Sequence, residues 1–440
     1  MSTTTQLKSR PIADGATFVP PGYKRTEVGV IPEDWKVLPL CVCLHKAPDY
    51  GINAAAVAFD DNLPTYLRIT DIEDGHFSPA PQVSVKHPNA VAFFLNKGDL
   101  VFARTGASVG KSYLYNPIDG PLVFAGFLIR ISPDLAVLEP AFLAYYSQSK
   151  RYWSWVATMS IRSGQPGING QEYGTLQLPL PETGEQRAIA GALSDVDGLI
   201  AALDKLIAKK RAIKQATMQQ LLTGKTRLPG FSGKWRACTL GDVGLFSKGR
   251  GIKRADVSDY GVACIRYGEL YTRYHDYVIT PVSRISSEVA LTAQPIKTGD
   301  LLFAGSGETA EEIGRCAAYI GEEATYAGGD IIILTPTGQN SFYLGHLINH
   351  ETVAAQKARL GQGDAVVHIS SRNLARVEIE LPPVEEQTAI AAILSDIDAE
   401  LAALEQHRDK TKQIKQGMMQ ELLTGRVRLV KPESQMEMGA

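Results

Sequence analysis

Residues 100–115, LVFARTGASVGKSYLY, place a Gly-rich turn ending in Gly110-Lys111-Ser112 directly after an apolar run. That order of residue types is close to a phosphate-cradling P-loop. A P-loop needs four residues between its two glycines, so that successive backbone N–H groups wrap the phosphates before Lys and Ser reach them. Here Gly106 and Gly110 enclose only Ala107, Ser108 and Val109. The missing glycine falls on Thr105, whose branched side chain resists positive φ. An NTP-dependent enzyme using residues 103–112 is one reading of this stretch.

Other groups that could do chemistry are sparse. The five cysteines (Cys41, Cys43, Cys238, Cys264, Cys316) form no C-x-x-C pair and have no histidine pair nearby at ligand spacing. Neither a disulfide framework nor a zinc site is expected from them. Asp195-x-Asp197 and Asp396-x-Asp398 resemble paired carboxylates, but an i,i+2 pair on a helix points to different sides. No methyltransferase N-P-P-aromatic or D-P-P-aromatic motif occurs, nor a Gly-x-Gly-x-x-Gly opening a nucleotide-binding unit.

The elements that must carry any site follow from length and repetition. A chain of 440 residues exceeds what one core usually serves, and 44% hydrophobic with 21% charged residues is an ordinary globular composition. The net charge of -2 excludes a global basic field, so contact with nucleic acid must come from local patches. The N-terminal sequence lacks the apolar core of a signal peptide and no run reaches transmembrane length. A cytoplasmic location without membrane contact is therefore expected.

The segment EQRAIAGALSDVDGLIAALDKLIAKKRAIKQATMQQLLTGKTRL, from Glu185, recurs from Glu386 as EQTAIAAILSDIDAELAALEQHRDKTKQIKQGMMQELLTGRVRL, with a constant offset of 201 residues. Each copy reads as one long helix. In the first, Pro179 and Pro181 end an extended segment, Thr183 and Gln186 have capping-box spacing, and Gly224 stops the helix after Leu221-Leu222. Ile189, Leu193, Val196, Ile200, Leu203 and Ile207 are spaced by alternating fours and threes, as in a coiled-coil seam. The second copy supplies Ile390, Leu394, Ile397, Leu401 and Leu404. A helix of about 39 residues spans roughly 58 Å, too long for one small core, so the two helices are expected to pack on each other. Antiparallel packing lets a compact segment join the end of the first to the start of the second, and gives the chain internal pseudo-two-fold symmetry. Met218, Met418 and Met419 read as packing residues, and Lys209, Lys210, Arg211 and Lys214 as either phosphate contacts or a solvated face.

The globular halves repeat more faintly. NKGDLVFARTG faces KTGDLLFAGSG, and YLRITDIEDG faces CIRYGELYTR. Short β-rich runs with helical stretches at Glu139–Val156 and Ser341–Arg359 predict an α/β (α+β) fold in each half. The counterpart of the P-loop-like turn has Gly314-Arg315-Cys316 in place of Gly-Lys-Ser, a change that a phosphate cradle would not survive.

These helices, with the motif EQxAIAxxLSDxDxxIxxL…KQxxMQxLLTGxxRL in both copies, resemble those of the specificity subunit of Type I restriction-modification systems. The segments VGVIPEDW, RSGQPGINGQEYGTL and SKGRGIKRADVSDYGVACIRYGEL look like family segments too. The resemblance implies two target recognition domains separated by two long antiparallel helices. Its divisions here are an N-terminal extension (1–24), a first recognition domain (25–180), a central helix (181–224), a second recognition domain (225–380), a distal helix (381–425) and a tail (426–440). It also implies a non-catalytic chain that binds a bipartite double-stranded DNA site. Its partners would be two modification subunits, which carry S-adenosylmethionine and methylate adenine, and motor-nuclease restriction subunits. A coiled-coil adaptor with protein-binding ends is the other alternative.

Residue types read by themselves are compatible with DNA. Lys248, Arg250, Lys253 and Arg254 crowd a Gly-containing loop and suit phosphates or guanine edges. Arg266, Tyr267, Glu269, Tyr271 and Arg273 follow with near period-2 spacing, as if several shared one face, and Arg315 sits in the second glycine turn. The first half offers Arg68, Arg104, Lys111, Arg151, Arg162, Gln165, Asn169 and Gln171, the last three suited to bidentate adenine contacts or backbone hydrogen bonds.

Overall fold

A computed structural model describes residues 19–161, 167–363 and 366–430. The chain forms two compact units, residues 1–202 with 408–440 and residues 203–407. Each therefore combines one globular segment with half of each long helix, Thr183–Leu221 and Val384–Leu422.

Both globular segments are built round the repeated G-D-L-φ-F-A run. Gly98 and Gly299 take φ of 95° and 98°, turning the chain so that Asp99 and Asp300 accept the amides of Asn96 and Lys297. The strands that follow, Leu100–Ala103 and Leu301–Ala304, are buried at every residue. Alternation explains this: Leu100 and Phe102 enter a core shared with the helices, while Val101 and Ala103 enter another on the opposite face. Leu301 and Phe303 divide from Leu302 and Ala304 in the same way. A strand covered on both faces reads as continuously apolar.

In the first unit the sheet order is 112–114, 100–103, 128–131, 49–50, and in the second 316–319, 301–304, 331–336, 244–248, with 277–278 added beyond 316–319. A second sheet in each unit contains a parallel pair, Leu122–Phe124 on Thr65–Leu67 and Thr325–Ala327 on Val262–Ile265. The helical stretches expected as single segments are each broken, into Pro140–Tyr146 and Lys150–Ser160, and into Ser341–Asn349 and Glu351–Leu360. Ser149 and His350 cap the second helix of each pair, so the chain restarts rather than continues.

The seam residues Ile189, Leu193, Leu203, Ile207, Ile390, Leu394 and Leu401 are buried. The helix halves run antiparallel within each unit. In the second, Lys210 pairs with Glu400 and Lys214 with Asp398 at 2.7 Å, so the partner's number falls as the first rises. In the first, Lys415 pairs with Asp197 at 2.7 Å, the repeat of Lys214–Asp398. Lys210, Arg211 and Lys214 are thus tied to carboxylates of the facing helix, which explains the basic run.

The Glu-Gln pair at each helix start is a joint rather than the expected capping box. Gln186 accepts from the Glu139 amide at 2.8 Å and donates to the Val137 and Pro181 carbonyls. Gln387 accepts from Asn340 and donates to Pro382 and to Gln339. Buried Glu185 accepts Nε and Nη2 of Arg428 and the Trp35 indole, and buried Glu386 accepts Arg227 in the same bidentate way. Met418 and Met419 in the first unit and Met218 in the second pack against the cores, as expected of them.

Candidate nucleic-acid interface

The P-loop-like turn has its donors turned inward. Gly110 donates to the Ala103 carbonyl, Val109 to Gly106 and Lys111 to Ser108, while the Lys111 ammonium is 3.3 Å from the Ile72 carbonyl. The Val109, Gly110 and Lys111 amides, which a P-loop would turn onto the phosphates, are therefore spent within the turn, which disfavours the nucleotide reading.

The turn instead forms part of a platform. Arg104 donates its amide to Phe127 and accepts from Ile168, and Thr105 bridges to Gly167. The Arg104 guanidinium lies 4.9 Å from the Tyr50 ring centre, and the Tyr50 hydroxyl accepts the Gly170 amide at 3.0 Å. Tyr50 and Phe127 are exposed aromatics that sequence reasoning missed, because only the neighbouring strands bring them beside Arg104. Asn169 caps the short helix Gly170–Gly174 by accepting the Glu172 amide, and exposed Gln171 stands in its first turn.

The second unit repeats the main-chain bonds of the platform. Gly305 donates to Asp330 and accepts from Ile369, and Ser306 pairs with His368. Lys248 occupies the position of Tyr50: Tyr50 lies opposite Ile129, and Lys248 opposite the equivalent Ile332. The next residue is glycine in both because a backbone carbonyl fills the space. A Cβ on Gly51 would lie 2.2 Å from the Ala125 oxygen, and one on Gly249 2.0 Å from that of Gly328. Lys248 ends a strand, contrary to the expected loop, while Arg250 and Lys253 follow in the loop and Arg254 opens the short 3-10 helix Arg254–Asp256. All four are exposed, and none is ion-paired among the described residues.

Several sequence expectations change. Arg266 to Arg273 do not share a strand face. Glu269–Thr272 is a helical turn, because the buried Glu269 carboxylate accepts the Arg266 amide, its guanidinium and the Ser283 hydroxyl. Arg266 is therefore engaged inside the domain, and Arg68 is likewise held by Asp71 at 2.7 Å. Tyr271 lies under the platform, its hydroxyl donating to the Ser306 carbonyl, whereas Tyr267 and Arg273 are exposed. Arg151 is half-buried beside Gly29, its guanidinium 2.8 Å from where a Cβ on that glycine would stand. Arg315 is half-buried behind the second turn, and Arg162 and Gln165 lie outside the described residues.

The turns are seated differently. In the first unit the Tyr152 hydroxyl donates to the Gly110 carbonyl at 2.7 Å, with Val156 directly beneath that glycine. In the second, Lys357 stands where Val156 does and donates its ammonium to the Gly314 carbonyl at 2.7 Å. Burial pushes the Lys357 amine down to about 8.

Two tandem α/β units, each with a surface of glycine turns hung on a buried strand, define a class of duplicated recognition scaffold. The comparisons agree. The family model described as the Type I restriction modification DNA specificity domain matches residues 65–214 and 232–416, and the chain belongs to that family. The chain is 25% identical over 433 residues to the putative type I restriction enzyme MjaX specificity subunit of Methanocaldococcus jannaschii, covering 92% of this chain and 97% of the relative. It is 21% identical over 408 residues to the EcoKI specificity subunit of Escherichia coli, covering 82% of each. Among solved structures, the type I restriction-modification S subunit from M. genitalium matches with a TM-score of 0.56 at 15% identity, over 88% of this chain and 96% of that one. A chain from a structure addressing complex assembly and conformational transition of the type I R-M system matches with a TM-score of 0.54 at 19% identity, over 90% and 99%. The chain is thus a specificity subunit, a non-catalytic component of its system. No helix among the described residues is long and apolar enough to cross a membrane.

Proposed function

We propose that the chain reads a bipartite double-stranded DNA sequence, the platform of each unit contacting one half-site. The long helices set the separation of the half-sites and recruit two modification subunits. S-adenosylmethionine belongs to those partners, which methylate adenine, and motor-nuclease subunits complete the assembly.

The observation that carries this reading is a substitution of chemistry on a retained backbone. Tyr50, Arg104 and Phe127 in one unit correspond to Lys248, Gly305 and Asp330 in the other, on the same hydrogen bonds. Bases are read by side-chain donors, acceptors and stacking faces, while the backbone only positions them. Two heads built this way would read different half-sites.

In the reconstituted complex, Arg104→Ala should weaken DNA binding roughly ten-fold and relax methylation at one half-site only. Lys253→Ala with Arg254→Ala should lower affinity more evenly and flatten its salt dependence. Unchanged half-site preference and salt slope in both variants would instead favour a protein-binding adaptor.

A further inference from the structure

The second platform carries a charge that its own turn does not require. Asp330 stands at the position of Phe127, its carbonyl accepting the Gly305 amide at 2.7 Å. The residue is exposed, and among the described residues its carboxylate has neither an ion pair nor a hydrogen bond. Its φ is 61°, a left-handed conformation that Asp and Asn tolerate better than most side chains. Asn would serve that backbone as well, so the turn accounts for the shape of the residue and not for its charge.

The sheet order fixes what surrounds it. Strands 244–248, 331–336 and 301–304 lie side by side in that order, and Asp330 immediately precedes the middle one. Lys248, Arg250, Lys253 and Arg254 are exposed on one flank. On the other, the chain beyond Gly305 carries exposed Glu308, Glu311 and Glu312. Gly305 adds no side chain, since a Cβ there would stand 2.8 Å from the Asp330 carbonyl oxygen. A DNA backbone is drawn to the basic flank and repelled by the acidic one. Asp330 lies between the two.

A carboxylate in that place repels phosphates, and it accepts hydrogen bonds without donating any. The DNA groups that complement it are the amino groups of bases, cytosine N4 and adenine N6 in the major groove and guanine N2 in the minor. Adenine sets its N7 acceptor beside the amino group, and a carboxylate meets that acceptor unfavourably. Cytosine offers the donor alone.

We infer that Asp330 selects a cytosine in the half-site bound by the second unit, accepting its N4 amino group. The inference rests on the proposed reading of DNA by the two platforms and adds the base that one side chain requires. In the first unit the same position is the apolar Phe127, so the requirement belongs to one half-site only.

The experiment maps methylated adenines in DNA modified by the chain in complex with its modification subunits, for the parent, Asp330→Gly, Asp330→Asn and Arg104→Ala. Gly and Asn both accept positive φ, so the turn is retained. In Asp330→Gly the preference for one C·G pair should fall about ten-fold or more. Asp330→Asn should admit A·T at that pair, because an amide both donates and accepts. The half-site altered by Arg104→Ala should be untouched by both. Loosening of another base pair, or no change in either Asp330 variant while Arg104→Ala alters its half-site, would overturn the inference and leave the reading of DNA standing. No change in any of the three would overturn both.

Should the Asp330 variants fail to assemble, duplex binding by the parent decides. Replacing cytosines of that half-site one at a time with pyrimidin-2-one, which lacks the amino group, should cost about ten-fold or more at one position. Hypoxanthine in place of the paired guanine removes only the minor-groove amino group and should cost little. No sensitive cytosine, or an equal loss with hypoxanthine, would overturn the inference.

Discussion

Tyr50, Arg104 and Phe127 on one platform and Lys248, Gly305 and Asp330 on the other share a backbone and almost no chemistry. The first trio is aromatic with one cation; the second is charged, with exposed Arg250, Lys253 and Arg254 following it. The backbone is retained because its bonds involve only main-chain groups, and because Gly51 and Gly249 face carbonyl oxygens that leave no space for a Cβ. Side chains at the rim are not needed for those bonds. They can be exchanged at little cost to the fold, which is the freedom that the proposed reading of two different half-sites would use.

The seats beneath the glycine turns diverge too, and this sets the scale of several expected effects. The largest is at Gly110, which has φ 86° and whose Cβ would meet Val156 at 2.7 Å. Gly110→Ala should cost about 3 kcal/mol in urea unfolding, since a branched side chain on a helix cannot move aside. Gly314→Ala, with φ 69° and the flexible Lys357 Cδ at 3.3 Å, should cost only about 1–2 kcal/mol. Equal losses would show that the two turns are seated alike.

Next come the joints, where the units agree. Gln186 and Gln387 each make three hydrogen bonds in full burial, so Gln186→Ala and Gln387→Ala should each cost about 2 kcal/mol. A marked inequality, read from the thermal transitions of the two variants, would break the equivalence of the helix starts.

Smaller effects separate the two anchors. Tyr152→Phe removes one buried hydrogen bond to Gly110 and should cost about 1 kcal/mol at any pH from 6 to 9. Lys357→Met should be nearly neutral at pH 7, because losing the bond to Gly314 is offset by relieving a buried cation. Its pH dependence is the sharper test. With the folded amine at about 8 and the unfolded one near 10.4, the unfolded chain binds more protons between those values. The penalty of burying the ammonium is complete below pH 8 and vanishes as pH rises through 10.4. The parent should therefore gain on Lys357→Met across that window, by up to about 3 kcal/mol. Parallel denaturation curves for the two proteins at pH 7.5 and 9.5 would contradict this.

The sequence by itself determined what depends on local periodicity and on repetition. The offset of 201 residues announced the duplication, the alternation of fours and threes marked a seam of which seven of the eleven residues are buried and the rest half-buried, and the chain connections favoured antiparallel helices. The G-D-L-φ-F-A run marked a buried strand leading to a turn, because glycine, aspartate and a two-sided apolar strand leave a local signature. Of the site, the exposed cations Arg250, Lys253 and Arg254 were legible as a cluster, since they adjoin in sequence.

Tertiary structure decided everything set by neighbours distant in the chain. Arg68 and Arg266 have carboxylate partners three residues away, yet whether they pair or point outward depends on the turn each pair closes. Arg151 is half-buried beside Gly29, more than a hundred residues earlier, and Tyr50 joined Arg104 only through sheet pairing. The P-loop-like turn was settled the same way. Its glycines are legible in one dimension, but the direction of its N–H groups follows from the strands and the Tyr152 hydroxyl that hold it, and those bonds exist only in three.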